Sequence, residues 1–347
     1  MRNTRFMAKT RLLTAAAAVL AAAAGFRLSP WPAALLIRAV FYRGARQLAN
    51  VMQRYAPAAG VTPFRGLSFN AGSRSGTLDL FVPAKAAEPA PLVVWIHGGA
   101  WLSGSRNDVE PYLRMLAASG YAAAGLTYTV SPRGVYPRAV EELAAALTFL
   151  SEHGADFGVD TRRIVLAGDS AGAQLAAQLA VLATNPDYAR RTGLSSPLNA
   201  GHLRGVILHC GVYDVAALAS LRGILGWGFK TALWAYSGQR DWSRTAAGRD
   251  MSVLNDVGAG FPPAFITGGN GDSLTATQSV PLAARLTALK TEVRTRFWPA
   301  DHRPALPHEY QFHLDRTEAQ QTLADTLDFL QAVCGPRAVP RAAGPGH

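Results

Sequence analysis

A serine set between two glycines at residues 168–172, Gly-Asp-Ser-Ala-Gly, restricts this chain to few folds. The apolar residues 164–167 before it are typical of a buried strand, and the Ala- and Leu-rich residues 171–183 after it are typical of a helix. A backbone that doubles back from strand to helix leaves no room for side chains at positions 168 and 172. The pattern predicts a sharp turn that presents Ser170 beside the unpaired N–H groups of a helix N-terminus.

Short apolar or β-branched segments alternate with helical segments over most of the chain. Predicted strands cover residues 92–96, 122–128, 164–167, 206–210, 264–267 and 292–298, and predicted helices cover residues 107–119, 138–153, 171–184, 277–289 and 317–334. This alternation predicts an α/β fold with a mostly parallel central sheet and helices on both faces. Before it, residues 63–70 and 77–83 are expected to form an antiparallel pair around a turn at residues 72–76.

The catalytic domain is expected to span residues 61–334. Residues 212–260 are too long for a simple crossover and rich in aromatic side chains, so we interpret them as a helical cap insertion over the sheet. The tail at residues 335–347 is rich in Pro, Gly and Ala and is expected to be disordered. With 347 residues and 49% hydrophobic content, the chain can bury a large core.

The positive charge of the chain is concentrated at its N-terminus. Residues 1–60 hold nine of the 34 Lys and Arg residues and no Asp or Glu, which leaves 25 basic against 23 acidic residues in the rest. The body of the protein is therefore nearly neutral, and no nucleic-acid partner is expected.

Residues 1–26 have the charge order of an export signal. Basic residues up to Arg11 precede an uncharged Ala- and Leu-rich stretch at residues 12–26, which is short for a membrane span, and residues 22–24 offer a small-residue cleavage site. A cleaved signal peptide and a retained N-terminal anchor are both open, and an ordinary Ala-rich helix is the third reading. We expect an exported or membrane-anchored protein.

Residues 27–60 form an amphipathic cap segment in this interpretation. Within residues 32–55, apolar side chains recur at helical spacing beside four arginines. Such a helix is expected to cover the mouth of an active site. The alternative is contact of residues 1–55 with an anionic membrane.

The donors for an oxyanion are expected on a glycine-containing loop. Residues 97–101, His-Gly-Gly-Ala-Trp, directly follow a predicted strand. The N–H groups of Gly98 and Gly99 are predicted to form an oxyanion hole with that of Ala171. We interpret His97 as a structural member of this loop. Trp101 is a candidate for the wall of the acyl pocket, with a position in the core as the alternative.

Serine acyl transfer also needs an imidazole base and a carboxylate that orients it. Asp272, on the loop after the predicted strand at 264–267, is the candidate acid, and a role in the turn is its alternative. Asp169 beside the serine is expected to be a structural acceptor. Three histidines precede the last helix, and His308 is favoured as the base over His302 and His313, because it lies in the middle of the loop.

Other chemistry has little support in the sequence. The two cysteines, Cys210 and Cys334, set no disulfide framework, and Cys210 is expected to be a buried thiol; a bridge between the two is the alternative in an exported protein. No Cys/His spacing resembles a metal site, and no cofactor is expected.

These motifs make the sequence similar to the α/β-hydrolase superfamily, and specifically to microbial esterases related to hormone-sensitive lipase and to feruloyl esterases. The resemblance covers about residues 77–333. It is carried by residues 97–101, Tyr128 followed by Ser131-Pro132 and Tyr136-Pro137, residues 168–172, the Asp272 loop and a histidine before the last helix. Members usually have His-Gly-Phe or a similar motif at the base, whereas this chain has His308-Glu309-Tyr310.

The resemblance implies an α/β-hydrolase fold with a helical cap and a serine carboxylesterase or lipase that acts on a small-molecule ester through an acyl-enzyme. A formamidase or other amidase could use the same constellation. A ligand-binding protein on an inactive hydrolase scaffold is the alternative outside enzymes.

Overall fold

The computed structural model describes residue 14 and residues 24–70 and 76–335, and it contains one eight-stranded sheet. The strands are β1 (Val61–Ser68), β2 (Thr77–Pro83), β3 (Ala90–Ile96), β4 (Ala122–Leu126), β5 (Val159–Asp169), β6 (Leu203–His209), β7 (Ala264–Gly268) and β8 (Val293–Phe297). Their order across the sheet is β1-β2-β4-β3-β5-β6-β7-β8. β2 is antiparallel to β1 and to β4, and the other neighbours are parallel. The predicted fold class and the antiparallel pair at its start are confirmed.

Helices connect most of the parallel strands. They are α1 (Trp31–Gln53), α2 (Arg106–Ala118), α3 (Arg138–His153), α4 (Ala171–Thr184), α5 (Pro186–Thr192), α6 (Gly223–Ser237), α7 (Ala246–Met251), α8 (Val280–Ala288) and α9 (Thr317–Cys334). A further helical stretch at residues 24–28 precedes α1. No helix among the described residues is both long and apolar enough to cross a membrane.

The core has two layers because successive residues of a strand point to opposite faces of the sheet. In β3, Leu92, Val94 and Ile96 pack with α3, α4 and α8. Val93 and Trp95 pack on the other face with α2 and α9. Both faces are buried, as expected for parallel strands with helices on each side.

β5 begins earlier than the sequence predicts, at Val159 instead of Ile164. Its first residues pair with the start of β3, with Ala90 opposite Val159, and a register shift separates them from the apolar part of the strand. The sequence did not predict this extension, because residues 160–163 are all polar and show no alternation of apolar and polar side chains.

Several predicted features lie wholly or mainly outside the described residues: the signal or anchor at 1–26, the turn at 72–76 and the tail at 335–347. Cys210 and Cys334 are both buried and free, so the alternative of a bridge between them is wrong.

Two helices lie above the carboxyl edge of the sheet and act as a cap. α1 buries Ala33, Ala34, Ile37 and Met52, and α6 packs against it, with Ala232 and Ala235 in the same apolar cluster as Ala34. α1 lies within residues 27–60 and α6 within residues 212–260, the two segments from which a helical cap is expected.

Candidate active site

Ser170 occupies the corner between β5 and α4, with a φ of 51° and a ψ of −117°. A left-handed φ is rare outside glycine and costs roughly 1–3 kcal/mol, which the surrounding structure must offset. A Cβ at Gly168 would lie 2.5 Å from the carbonyl carbon of Gly172, and a Cβ at Gly172 would collide with the carbonyl oxygen of Ile96. The prediction that this turn needs both glycines is confirmed.

His308 lies between the serine and a carboxylate. Its Nε2 atom is 2.9 Å from Oγ of Ser170, and its Nδ1 atom is 2.7 Å from Oδ2 of Asp272. Because Nδ1 faces a carboxylate, it carries the ring hydrogen, which leaves Nε2 as the acceptor for the serine hydroxyl. The structure thus brings the three predicted residues into one hydrogen-bonded chain.

The loop after β7 holds Asp272 in place. The N–H of Leu274 donates to Oδ1 of Asp272 at 2.9 Å, so Oδ2 is left for the imidazole. Gly271 donates its N–H to the carbonyl oxygen of Leu306 at 2.9 Å, and the Asn270 side chain accepts from the N–H of Leu306 at 2.9 Å. The loop with the acid and the loop with the base are therefore joined directly by hydrogen bonds.

The pKa of His308 is set by opposing effects. Burial favours the neutral imidazole, but the neighbouring Cys210 and the hydrogen-bonded carboxylate of Asp272 together outweigh it and hold the pKa of His308 well above its usual value. Burial raises the pKa of the Cys210 thiol, which lies beside the ring. Asp272 therefore makes His308 a stronger base than a free imidazole.

The two competing histidines lie elsewhere. His302 Nε2 is 2.8 Å from Oε1 of Glu318 on α9, and its ring packs against Trp298. His313 is half-buried, and burial together with Arg316 lowers its pKa. Neither ring contacts Ser170 or Asp272 by a hydrogen bond. Of the three candidates, only His308 reaches both partners.

Asp169 fixes the loop after β3. Its Oδ1 atom accepts from Nε1 of Trp95 and its Oδ2 atom from the N–H of Gly98, both at 2.8 Å. The expectation that Asp169 is a structural acceptor is confirmed. The expectation that Gly98 donates to an oxyanion is wrong, because its N–H is already engaged by a buried carboxylate.

Three other N–H groups beside the serine are free. Among the described residues, none accepts a hydrogen bond from the N–H of Gly99, Ala100 or Ala171. Gly99 has a φ of 106° and Ala100 a φ of 51°, which turn this loop back on itself. Ala100 was not among the predicted donors, although it directly follows the two glycines.

His97 stabilises the same loop from behind. Its Nδ1 atom donates to the carbonyl oxygen of Gly98 at 2.8 Å, and its ring stacks on Tyr128 with centroids 4.4 Å apart. Burial lowers the pKa of His97 to about 4. It is neutral at ordinary pH and structural, as the sequence indicated.

Trp101 does not line the acyl pocket. Its side chain is fully buried, its Nε1 atom donates to Oε1 of Gln174 at 3.1 Å, and its ring stacks on Tyr236. The prediction of a substrate contact is wrong, and the alternative, a place in the core, is correct. The left-handed backbone at Trp101, with a φ of 58°, turns the ring inwards behind the loop.

A cavity of about 770 Å³ extends from Ser170 and His308 to the surface. Most of its wall is apolar, and nearly half of its lining residues come from the two cap helices. The lining residues from the cap are Leu36, Ile37, Val40, Phe41, Gly44, Ala45, Leu48 and Met52 of α1 and Ile224, Leu225, Trp227, Gly228 and Phe229 of α6. The individual contributions of α6 were not predicted, because its sequence is apolar all round and gives no facing direction.

Glu309 is a further residue of this cavity that the sequence did not indicate as functional. It has a left-handed φ of 60°, and its Oε1 atom lies 4.0 Å from Nε2 of His308. It stands where the sequence resemblance leads us to expect a glycine. A left-handed backbone explains why glycine fits that position readily.

One group of side chains has the atoms to ligate a metal ion. Among the described residues, Cys210, Asp272 and His308 have ligand atoms within 4.8 Å of one another. Asp272 and His308 are already hydrogen-bonded to each other and, through His308, to Ser170. These hydrogen bonds allow the hydroxyl of Ser170 to pass its proton directly to His308.

The chain matches one family model and is similar in fold to solved structures of esterases. The model of the family described as BD-FAE matches residues 78–286. The fold is similar to that of esterase B from Lactobacillus rhamnosis, with a TM-score of 0.74 and 26% identity over 87% of this chain and 96% of that one. A second structure of that esterase, inhibited by a C4-C4 SN3 tributyrin phosphonate, has a TM-score of 0.73 at the same identity and coverage. An esterase from Pyrobaculum calidifontis is similar in fold, with a TM-score of 0.67 and 19% identity over 86% of this chain and 92% of that one.

Proposed function

The chain belongs to the BD-FAE family of α/β-hydrolases and is a carboxylic ester hydrolase, and we propose that it cleaves its ester through a covalent acyl-enzyme formed on Ser170. The observation that carries this proposal is the unbroken chain of hydrogen bonds from Ser170 through His308 to Asp272. A hydroxyl whose proton can pass to an oriented imidazole is an activated nucleophile.

The proposed reaction has two halves. The Oγ atom of Ser170 attacks the ester carbonyl carbon while Nε2 of His308 takes the hydroxyl proton, and the imidazolium then protonates the departing alcohol oxygen. A water molecule attacks the acyl carbonyl with the same imidazole as base, and the carboxylic acid leaves as Ser170 regains its proton. Asp272 keeps the imidazole in the correct tautomer and stabilises its charged form.

The oxyanion of each tetrahedral intermediate is proposed to bind Gly99, Ala100 and Ala171. These three N–H groups lie beside Ser170 and donate to no acceptor among the described residues, which supports this set. The N–H of Gly98, in contrast, donates to Asp169. Fixed donors of this kind stabilise negative charge more strongly in the transition state than in the ester itself.

The acyl or alcohol group of the substrate is proposed to occupy the cavity under α1 and α6. Its wall is mostly apolar and its volume of about 770 Å³ exceeds the needs of an acetyl group. We therefore expect apolar esters of medium chain length to have a lower KM than acetate esters.

Hydrolysis of p-nitrophenyl esters tests the proposal. The wild-type protein should turn over p-nitrophenyl butyrate, and Ser170→Ala should lose about 10³-fold or more in kcat while keeping its unfolding temperature. Thr184→Ala, a hydroxyl removed at the far end of α4, is the matched control and should remain active. Equal activity in Ser170→Ala and the wild type would contradict the proposal.

We also propose that the protein is exported or membrane-anchored, on the strength of the basic and then apolar order of residues 1–26. Fractionation of expressing cells and N-terminal sequencing test this. Protein found in the cytosol with its first residues intact would contradict it.

A further inference from the structure

The outer face of α1 is unusually apolar. A helix that covers a domain normally exposes polar side chains on the side away from the core. In α1, six of the residues between positions 31 and 42 are large, apolar or aromatic, and exposed: Trp31, Leu35, Leu36, Val40, Phe41 and Tyr42. Val40, at 68% exposure, and Leu36, at 57%, also line the cavity that leads to Ser170.

The start of α6 adds to the same surface. Ile224 is 88% exposed, and Leu225 and Trp227 are each 46% exposed. All three also line the cavity, so they lie with the exposed part of α1 around its opening. We call the exposed apolar residues of α1 and α6 together the mouth surface. A contiguous apolar surface of this kind on a protein indicates a binding partner.

A second cavity, of about 650 Å³, adjoins the mouth surface and shares Trp227 with the first. We call it the cationic groove, because Arg222, Lys230 and Arg240 line it and no described residue in its lining is acidic. These three side chains form no ion pair with a described residue, and the guanidinium of Arg240 lies over the ring of Trp234. Cations without an ion-pair partner can bind a phosphate group, and the aromatic rings beside them can contact an apolar group attached to that phosphate.

The charge carried by α1 and α6 is of one sign. The sequence has no Asp or Glu from residue 1 to residue 78, and α6 has none either. Arg38, Arg43 and Arg46 of α1 have the same sign of charge as the cationic groove, and Arg46 also interacts with Asp108 of the first cavity. Two copies of this chain placed mouth to mouth would bring these cations together, which disfavours a second copy as the occupant.

We propose that the mouth surface and the cationic groove bind a bilayer that contains anionic phospholipids. The apolar side chains enter the interfacial region, and the arginines and lysine contact lipid phosphates. The cavity then opens onto the lipid phase. Supply of a membrane-dissolved ester to Ser170 by this route rests on the proposed esterase function, whereas the docking itself does not.

Vesicle binding by the full chain tests the docking, with Ser170→Ala as the background so that hydrolysis plays no part. Partition onto phosphatidylcholine vesicles with 30% phosphatidylglycerol should exceed partition onto pure phosphatidylcholine at least about tenfold, and should fall in 0.5 M salt. Replacing Arg222, Lys230 and Arg240 by Gln should lower partition onto the anionic vesicles about 100-fold. The matched control replaces Lys85, Arg162 and Lys290, exposed cations near the opposite edge of the sheet, by Gln and should change it little.

The contribution of the apolar side chains of the mouth surface to vesicle binding is tested separately. Trp31→Glu with Leu35→Glu, two residues of the mouth surface outside the cavity lining, should lower partition onto both kinds of vesicle about tenfold or more. Val280→Glu, an exposed apolar residue on α8 that lines neither cavity, is the control. Thermal unfolding followed by circular dichroism verifies that each variant is folded.

A fluorophore at the mouth distinguishes docking from tethering by residues 1–26. An environment-sensitive label on Ile224→Cys should shift to shorter wavelength when anionic vesicles are added, and a label on Arg162→Cys should not. A label at 224 that stays in water while the protein sediments with vesicles would overturn the proposal. A shift without vesicles that grows with protein concentration would also overturn it, in favour of a second copy of the chain.

Discussion

The Nε2 atom of His308 lies 2.9 Å from the Oγ atom of Ser170, although 138 positions separate the two residues in the chain. The serine is fixed by the strained turn after β5, and the histidine by a loop that is hydrogen-bonded to the loop after β7. Two independent parts of the fold therefore determine one contact. The candidate site depends on the whole sheet for its geometry.

The first prediction concerns the three histidines. His308→Ala should lower kcat/KM by about 10³-fold or more, because the serine loses its proton acceptor. His302→Ala and His313→Ala should keep most of the activity, since neither ring bonds to Ser170 or Asp272. Loss of the partly exposed contact between His302 and Glu318 should cost at most about 1 kcal/mol of stability. Steady-state kinetics of the three variants with one ester would decide, and an inactive His302→Ala beside an active His308→Ala would refute the assignment.

The second prediction concerns pH. The imidazole acts as a base only when neutral, and Asp272 stabilises its charged form, so the acid limb of kcat/KM should lie above the usual histidine value of 6.5. Asp272→Asn removes the negative charge and should move this limb to lower pH, while kcat falls about 10³- to 10⁴-fold. A pH–rate profile of both proteins measures the shift. A limb that does not move would show that Asp272 does not set the pKa of His308.

The third prediction concerns the support of the oxyanion loop. Asp169→Asn keeps the shape of the side chain but replaces one of its two accepting oxygens by a donor, which then faces Trp95 or Gly98. We expect kcat to fall about 10²-fold with little change in KM, because the donors made available by the loop act mainly in the transition state. Asp160→Asn, at the other end of β5, is the control. Unchanged kcat in Asp169→Asn would mean that this carboxylate does not position the loop.

The fourth prediction concerns the turn at the serine. Gly172→Ala should lower the free energy of unfolding by about 3 kcal/mol, because the new Cβ collides with the carbonyl oxygen of Ile96 in a neighbouring strand. Gly258→Ala is the matched control, since a Cβ there meets no atom within 4 Å. It should leave stability within about 1 kcal/mol of the wild type. Urea denaturation of both variants measures the difference, and equal stability would contradict the geometry of the turn.

Local spacing was enough to predict Ser170. The turn requires glycine at the two positions that lie two residues before and two residues after Ser170, so the requirement is visible in the local sequence. The strand and helix pattern was predictable for the same reason, since burial on both faces leaves continuous apolar runs in the parallel strands. His308 needed more, because three histidines share one loop and only the hydrogen bonds between Asn270, Gly271 and Leu306 decide which ring faces the serine.

The errors at Gly98 and Trp101 have one cause. Whether an N–H is free depends on acceptors brought from elsewhere, and the carboxylate that engages Gly98 belongs to Asp169, 71 positions away. The ring of Trp101 is directed by a left-handed backbone and by Gln174, 73 positions away. Neither partner can be read from the loop itself. The mouth surface and the cationic groove were not predictable for the same reason, because the first combines α1 with α6 and the second combines Phe26 with residues 219–243.

Ser170 is expected to become covalently acylated during turnover. Mass spectrometry of the intact protein after reaction with a fluorophosphonate, followed by peptide mapping, measures this most directly. We expect one adduct per chain in the wild type, located on the peptide that contains Ser170, and no adduct in Ser170→Ala or, at the same exposure time, in His308→Ala. An adduct on another residue, or labelling of Ser170→Ala at the wild-type rate, would contradict it.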